Sequence, residues 1–116
     1  MRRCGVLMPI SSLPSRFGIG GFSKEAYEFV DFLAASGQSL WQILPLGPTG
    51  YGDSPYQSFS TFAGNPYYIS LDFLIDEGLL TSEECSSVDY GTNSHKVDYE
   101  RIYYTRFDLL KKAFER

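Results

Sequence analysis

The residues best suited to chemistry lie between Gly47 and Ser60, in the string GPTGYGDSPYQSFS. Tyr51, Asp53, Ser54, Tyr56, Gln57, Ser58 and Ser60 put flat rings beside short hydroxyls and one carboxylate. That mixture suits a carbohydrate, because a tyrosine ring covers the apolar face of a sugar while hydroxyls and amides hold its polar rim. The string contains no Lys or Arg, the residues that hold phosphate groups. Cleaving a glycosidic bond requires two carboxyl groups, about 5–5.5 Å apart in a retaining mechanism. The loops provide only Asp53, since Asp31, Asp72 and Asp76 fall on expected helix surfaces. The chain is therefore expected to contact a sugar without cutting it, and no catalytic residue is assigned.

Other chemistries fail on spacing. Gly18, Gly20 and Gly21 hint at a dinucleotide loop, but the pattern G-x-G-x-x-G would need glycine where Ser23 stands. No acidic residue closes the second expected strand to hold a ribose. A nucleophilic serine needs a histidine base, and the single histidine, His95, lies in a polar stretch without a visible partner. Cys4 and Cys85 are far apart and form no C-x-x-C pair. Neither a metal site nor a cofactor is expected, and two reduced thiols point to a cytoplasmic protein.

These loops need elements to hold them. Residues 4–10 (CGVLMPI) read as a strand buried on both faces, followed by the loop SSLPSRFGIGGF. Ser23 has the character of a helix N-cap, Ala26, Phe29, Val30 and Leu33 recur at helical spacing, and Gly37 closes the helix. The run LWQILPL at 40–46 reads as a second strand. Strand, helix, strand predicts a parallel pair. In such a pair the two long loops gather at the carboxyl ends of the strands, where sites are built. No period holds across 47–68. Beyond it, Ser70 should cap a short helix over 71–77 closed by Gly78, and Thr81 with Glu84 forms a capping-box pattern. Residues 86–97 read as an exposed polar loop. Asp98 should cap a last helix whose apolar stripe is Tyr103, Phe107, Leu110 and Phe114.

Composition sets the outer limits. With 116 residues, 43% hydrophobic and 16% aromatic, the chain can form one small core and no more. Ten Lys and Arg against 14 Asp and Glu give a net charge of -4, which disfavours a nucleic-acid partner. Arg2 and Arg3 before an apolar run imitate a signal peptide, but Pro9, the polar residues after it and the lack of an A-x-A pattern argue against one. No run approaches the ~18 apolar residues of a membrane span, so no membrane partner is expected. Two strands and a few helices leave sheet edges unpaired. The chain thus reads like the opening of a larger α/β protein.

The strings GVLMPISSLPSRFGIGGF and WQILPLGPTGYGDSPYQSFSTFAGNPYYISLDFLIDEGLL resemble the N-terminal part of the bacterial 4-α-glucanotransferases, also called amylomaltases or disproportionating enzymes. The likeness is close over residues 4–80 and looser through VDYERIYYTRFDLLKKAFER. It implies an α/β fold, the N-terminal portion of a (β/α)₈ TIM barrel of the α-glucanase type, incomplete in this chain. It implies that residues 1–116 supply the first two strands, the first helix, the sugar-binding loop and a helical insertion. The implied activity is transfer of 4-α-glucan segments between maltodextrins by a retaining double displacement. The family's aspartate nucleophile and glutamate acid/base match nothing here. By the resemblance, Tyr56 lies against the donor-side sugar and Ser54 close to it. Tyr51 takes the place of an aromatic linked in some members to a second glucan site, and Asp53 orients the loop or bonds a sugar. Trp41 is read as core. The implied partners are a maltodextrin or other 4-α-glucan and the remainder of the barrel. The competing reading is a stand-alone, non-catalytic carbohydrate-binding or scaffold module derived from that barrel.

Overall fold

The computed structural model describes residues 1–116. Strand β1 (Gly5–Leu7) is followed by a 3-10 turn at Ile10–Ser12, helix α1 (Lys24–Ala35) and strand β2 (Leu40–Gln42). A 3-10 turn at Pro66–Tyr68 and helices α2 (Leu71–Asp76), α3 (Ser82–Ser86) and α4 (Tyr99–Glu115) complete the chain. The strands are parallel, with Gly5 opposite Leu40, Val6 opposite Trp41 and Leu7 opposite Gln42. This is the expected strand–helix–strand unit, in shorter form.

Both strands stop early for a reason written in the sequence. One more bond, Met8 N–H to the Gln42 carbonyl at 2.9 Å, extends the pairing. Pro9 and Pro45 then remove the donors that would carry it on. The strands are also not buried on both faces. Leu7 and Leu40 are about half exposed, because each strand has one hydrogen-bonded neighbour and one open edge. Trp41 is half-buried. Its indole N–H donates to the Met8 carbonyl at 2.9 Å, and its ring meets Phe29 edge-on at 4.9 Å.

The caps follow the expected residues with one exception. Ser70 Oγ accepts from the Phe73 N–H at the start of α2, and Asp98 Oδ1 accepts from the Arg101 N–H at the start of α4. Thr81 and Glu84 form a full capping box at α3. Gly37 and Gly78 turn the chain at positive φ after α1 and α2. Ser23 stands at the N-cap of α1, but its hydroxyl donates to Glu25 Oε2 at 2.6 Å and caps no backbone N–H. Of the expected stripe on α1, Ala26 and Leu33 are buried, Phe29 is partly buried and Val30 is exposed.

The stripe expected on α4 is displaced by one residue. Ile102, Arg106, Leu109 and Ala113 face inward, whereas Tyr103, Phe107 and Phe114 are exposed. Of the expected set, Leu110 packs against a buried cluster, and the exposed ring of Phe107 touches buried Tyr67, with ring centroids 5.6 Å apart. The smaller side chains fit under the loop after β1, and the aromatic rings lie on the neighbouring face.

Two apolar clusters result. One joins Ile10, Leu13, Ile19, Ala26, Tyr67, Tyr68 and Ile102 beneath the loop after β1. The other joins Phe17, Leu71, Leu80, Cys85, Leu109 and Ala113 among α2, α3 and α4. Tyr90 packs against both.

Candidate functional site

The loop after β2 has no regular strands, as expected, but it is tied down by short hydrogen bonds. Thr49 and Ser58 form an isolated antiparallel bridge. Gly47 sits so close to Ser58 that a Cβ there would lie 2.5 Å from Ser58 Oγ. Ser58 Oγ donates to the Ser60 carbonyl at 2.7 Å, and Asn65 N–H closes the loop onto the Leu46 carbonyl at 2.7 Å. The tip between these ties holds the candidate residues.

Asp53 is the only residue other than glycine with positive φ, at 59°. Its N–H bonds the Gly50 carbonyl at 3.1 Å. Short polar side chains tolerate this left-handed conformation best after glycine. Ser54 Oγ accepts from the Tyr56 N–H at 3.3 Å, and the Ser54 carbonyl accepts from the Gln57 N–H at 3.2 Å. Ser54 is therefore engaged in shaping the turn. Tyr51 projects fully into solvent, and Tyr56 is 71% exposed. Both rings are free to meet a ligand. The structure brings Tyr51, Asp53, Ser54 and Tyr56 onto one loop tip, with Tyr51 and Tyr56 as its open aromatic surfaces.

The loops after β1 and β2 converge on Tyr99, as their placement after parallel strands requires. Burial pushes the Tyr99 phenol up, a hydrogen bond with the Ser11 side chain pulls it down, and the Asp53 carboxylate raises it again. Tyr67 is raised chiefly by burial and next by Asp53. Asp53 is thus close to the tyrosines that line the base of the loops. The first loop is held from beneath as well. Gly20 packs so closely on Ile10 that a Cβ would meet its carbonyl oxygen at 2.2 Å. Phe22 N–H bonds the Tyr68 carbonyl at 2.9 Å.

One residue that matters to this scaffold escaped the sequence reading. Arg106 is 2% exposed, and its Nη2 donates to the Phe17 carbonyl at 2.7 Å, fixing the first loop to α4. Its Nε has no partner, and burial lowers its pKa. The available signal was its spacing, four residues after Ile102 and three before Leu109. The loops contain no second carboxylate to pair with Asp53, so they hold no acid and nucleophile pair.

Residues 8–116 match the family described as 4-alpha-glucanotransferase. The chain is 57% identical to a 4-alpha-glucanotransferase of Streptococcus pneumoniae over 99% of its own length and 23% of that protein's. It is 48% identical to one from Thermus thermophilus, over 97% of this chain and 22% of the relative. Its fold superposes with a TM-score of 0.95 on an amylomaltase from Streptococcus agalactiae in complex with acarbose, at 47% identity, covering 99% of this chain and 23% of that one. The chain spans less than a quarter of the length of these relatives and matches their N-terminal part. On the strength of a family match over nearly its whole length, the chain belongs to the 4-alpha-glucanotransferase family.

Proposed function

We propose that these 116 residues form the N-terminal segment of a 4-α-glucanotransferase (β/α)₈ barrel and supply its substrate-contacting loop. The enzyme built on it moves 4-α-glucan segments between maltodextrins by a retaining double displacement. Tyr56 covers the donor-side sugar, Ser54 and Asp53 hold the loop and meet sugar hydroxyls, and Tyr51 holds a more distant part of the glucan. The observation that carries this reading is the loop tip itself. Two solvent-facing tyrosines stand on a hydrogen-bonded turn at the carboxyl end of β2, in a chain that superposes on an acarbose-bound amylomaltase. The remainder of the barrel is the partner in this reading, adding strands to the free edges of β1 and β2. The free thiols of Cys4 and Cys85 suit a reducing, cytoplasmic setting.

The chemistry divides accordingly. Charge develops at the anomeric carbon in the transition state, and the carboxylates that meet it lie outside these residues. This segment's work is positioning: contacts that tighten in the transition state raise turnover, not affinity alone. The test grafts residues 1–116 onto the remainder of the Streptococcus pneumoniae relative and measures maltotriose disproportionation. Tyr56→Ala is expected to lower kcat by about tenfold or more. Tyr51→Ala should leave maltotriose turnover nearly intact and change the use of long glucans. The 116-residue chain alone should be inactive. Wild-type turnover in Tyr56→Ala, or equal losses in both variants, would refute the assignment.

A further inference from the structure

A second concave surface adjoins the tyrosine loop, with neither Tyr51 nor Tyr56 in its lining. A cleft of about 820 Å³ opens between Ser11–Gly20, after β1, and Tyr90–Val97, before α4. Its walls carry the cations Arg16 and Lys96 and the imidazole of His95, and no Asp or Glu lines it. That is opposite in sign to a chain with 14 acids and 10 bases. Of the acids nearby, Asp72 pairs with Arg16, and Asp89 and Asp98 pair with Arg101, while Asp53 and Glu100 line an adjoining hollow that shares Lys96. Arg16 uses Nε and Nη2 on Asp72, leaving Nη1 free. The side chains of His95 and Lys96 are exposed and make no hydrogen bond or ion pair. Ser12, Thr92 and Ser94 add hydroxyls, and Asn93 adds an amide.

A neutral glucan makes little use of the cations here. An oxyanion is well served. Arg16 and Lys96 supply charge-assisted donors, and the His95 imidazole and the hydroxyls supply further ones. We propose that this cleft binds a small phosphomonoester, with the phosphate between Arg16, His95 and Lys96 and the carrier's hydroxyls on Ser12, Thr92 and Asn93. The phosphate chemistry is shared by inorganic phosphate and a sugar phosphate, and the room beyond the cations favours the sugar phosphate. This site borders the loop that carries Asp53, but it uses neither Tyr51 nor Tyr56 and does not depend on their role.

Equilibrium dialysis of the full chain against labelled inorganic phosphate, glucose 6-phosphate and glucose, at one ionic strength, tests the proposal. Saturable uptake of glucose 6-phosphate is expected, with weaker uptake of phosphate and none of glucose. The double variant His95→Gln, Lys96→Gln should bind glucose 6-phosphate about tenfold more weakly. Lys112→Gln, a charge change on the distant end of α4, should bind as wild type. Both altered cleft residues are exposed, and circular dichroism checks the fold of each variant. Absence of saturable sugar phosphate uptake would overturn the proposal. So would tighter binding of inorganic phosphate, comparable uptake of glucose, or equal loss in Lys112→Gln.

Discussion

Replacing Arg106 by methionine should not weaken the fold, although it deletes a buried hydrogen bond. Arg106 is 2% exposed and forms no ion pair. It makes one hydrogen bond, to Phe17, and leaves Nε unpartnered. A hydrogen bond from a charged donor contributes about 1.5–3 kcal/mol. Holding a guanidinium out of water costs several kcal/mol, and no carboxylate offsets it here. Methionine keeps much of the stem's packing and removes that cost. Arg106→Met should therefore fall between unchanged and about 2 kcal/mol more stable. Arg106→Ala loses the stem as well and opens a void beneath the loop after β1. It should be about 2–4 kcal/mol less stable than the methionine variant. Urea titrations of the full chain, followed by circular dichroism, give both values. The slope of each titration must match wild type for the comparison to hold. A methionine variant as damaged as the alanine one would refute the reasoning, because the guanidinium would then be a net stabiliser.

Two further outcomes follow from the caps and the turn. Glu84 accepts from the Thr81 N–H and pairs with Arg116, and the Arg116 hydrogen bonds, followed by the Thr81 N–H, hold its carboxyl down at about 2. Since the folded pKa is depressed, its stabilising effect is present above the ordinary value of 4.5 and is lost as pH falls toward about 2. Glu84→Gln should flatten the acid limb of the urea midpoint against pH, and an unchanged limb would contradict it. At Asp53, φ of 59° should make Asp53→Ala less stable than Asp53→Gly by about 1 kcal/mol, read by the same titrations. In the grafted enzyme, wild-type transfer by Asp53→Gly would mark Asp53 as a turn residue, and a loss of kcat would mark it as a sugar contact.

The parts of this fold that were legible in the sequence are those governed by neighbours along the chain. Ser70, Thr81 with Glu84, Asp98, Gly37 and Gly78 each act within a few residues, and their roles follow from local geometry. The parallel pairing followed from one strand, one helix and a second strand in order. The face of α4 did not, because the largest apolar side chains, Tyr103, Phe107 and Phe114, suggest the wrong stripe. What selects the true face is the space under a distant loop, which accepts Ile102, Leu109, Ala113 and even an arginine. The tyrosine tip was legible as a cluster of rings and hydroxyls on one loop. Ser54's bond to the Tyr56 N–H and the left-handed turn at Asp53 needed coordinates. The cleft beside the tip was hidden for the same reason, since its walls come from segments some eighty residues apart.

Tyr90 sits in the polar stretch before α4, yet it is built into the molecule more firmly than its neighbours. Its ring meets Phe17 edge-on at 6.0 Å, and its hydroxyl donates to the Cys85 carbonyl at 2.8 Å. Burial pushes its phenol up to about 12. Such an anchor divides the stretch by how freely it can change length. Between Cys85 and Tyr90 the hydrogen bond spans a fixed five-residue arc, so an inserted residue would pull the ring from between the two apolar clusters. Between Gly91 and Lys96 every residue is exposed, and an insertion there only lengthens the wall of the cleft. Changes of length are thus tolerated in one six-residue window, where they reshape the cleft wall while the packing that holds α4 in place stays untouched.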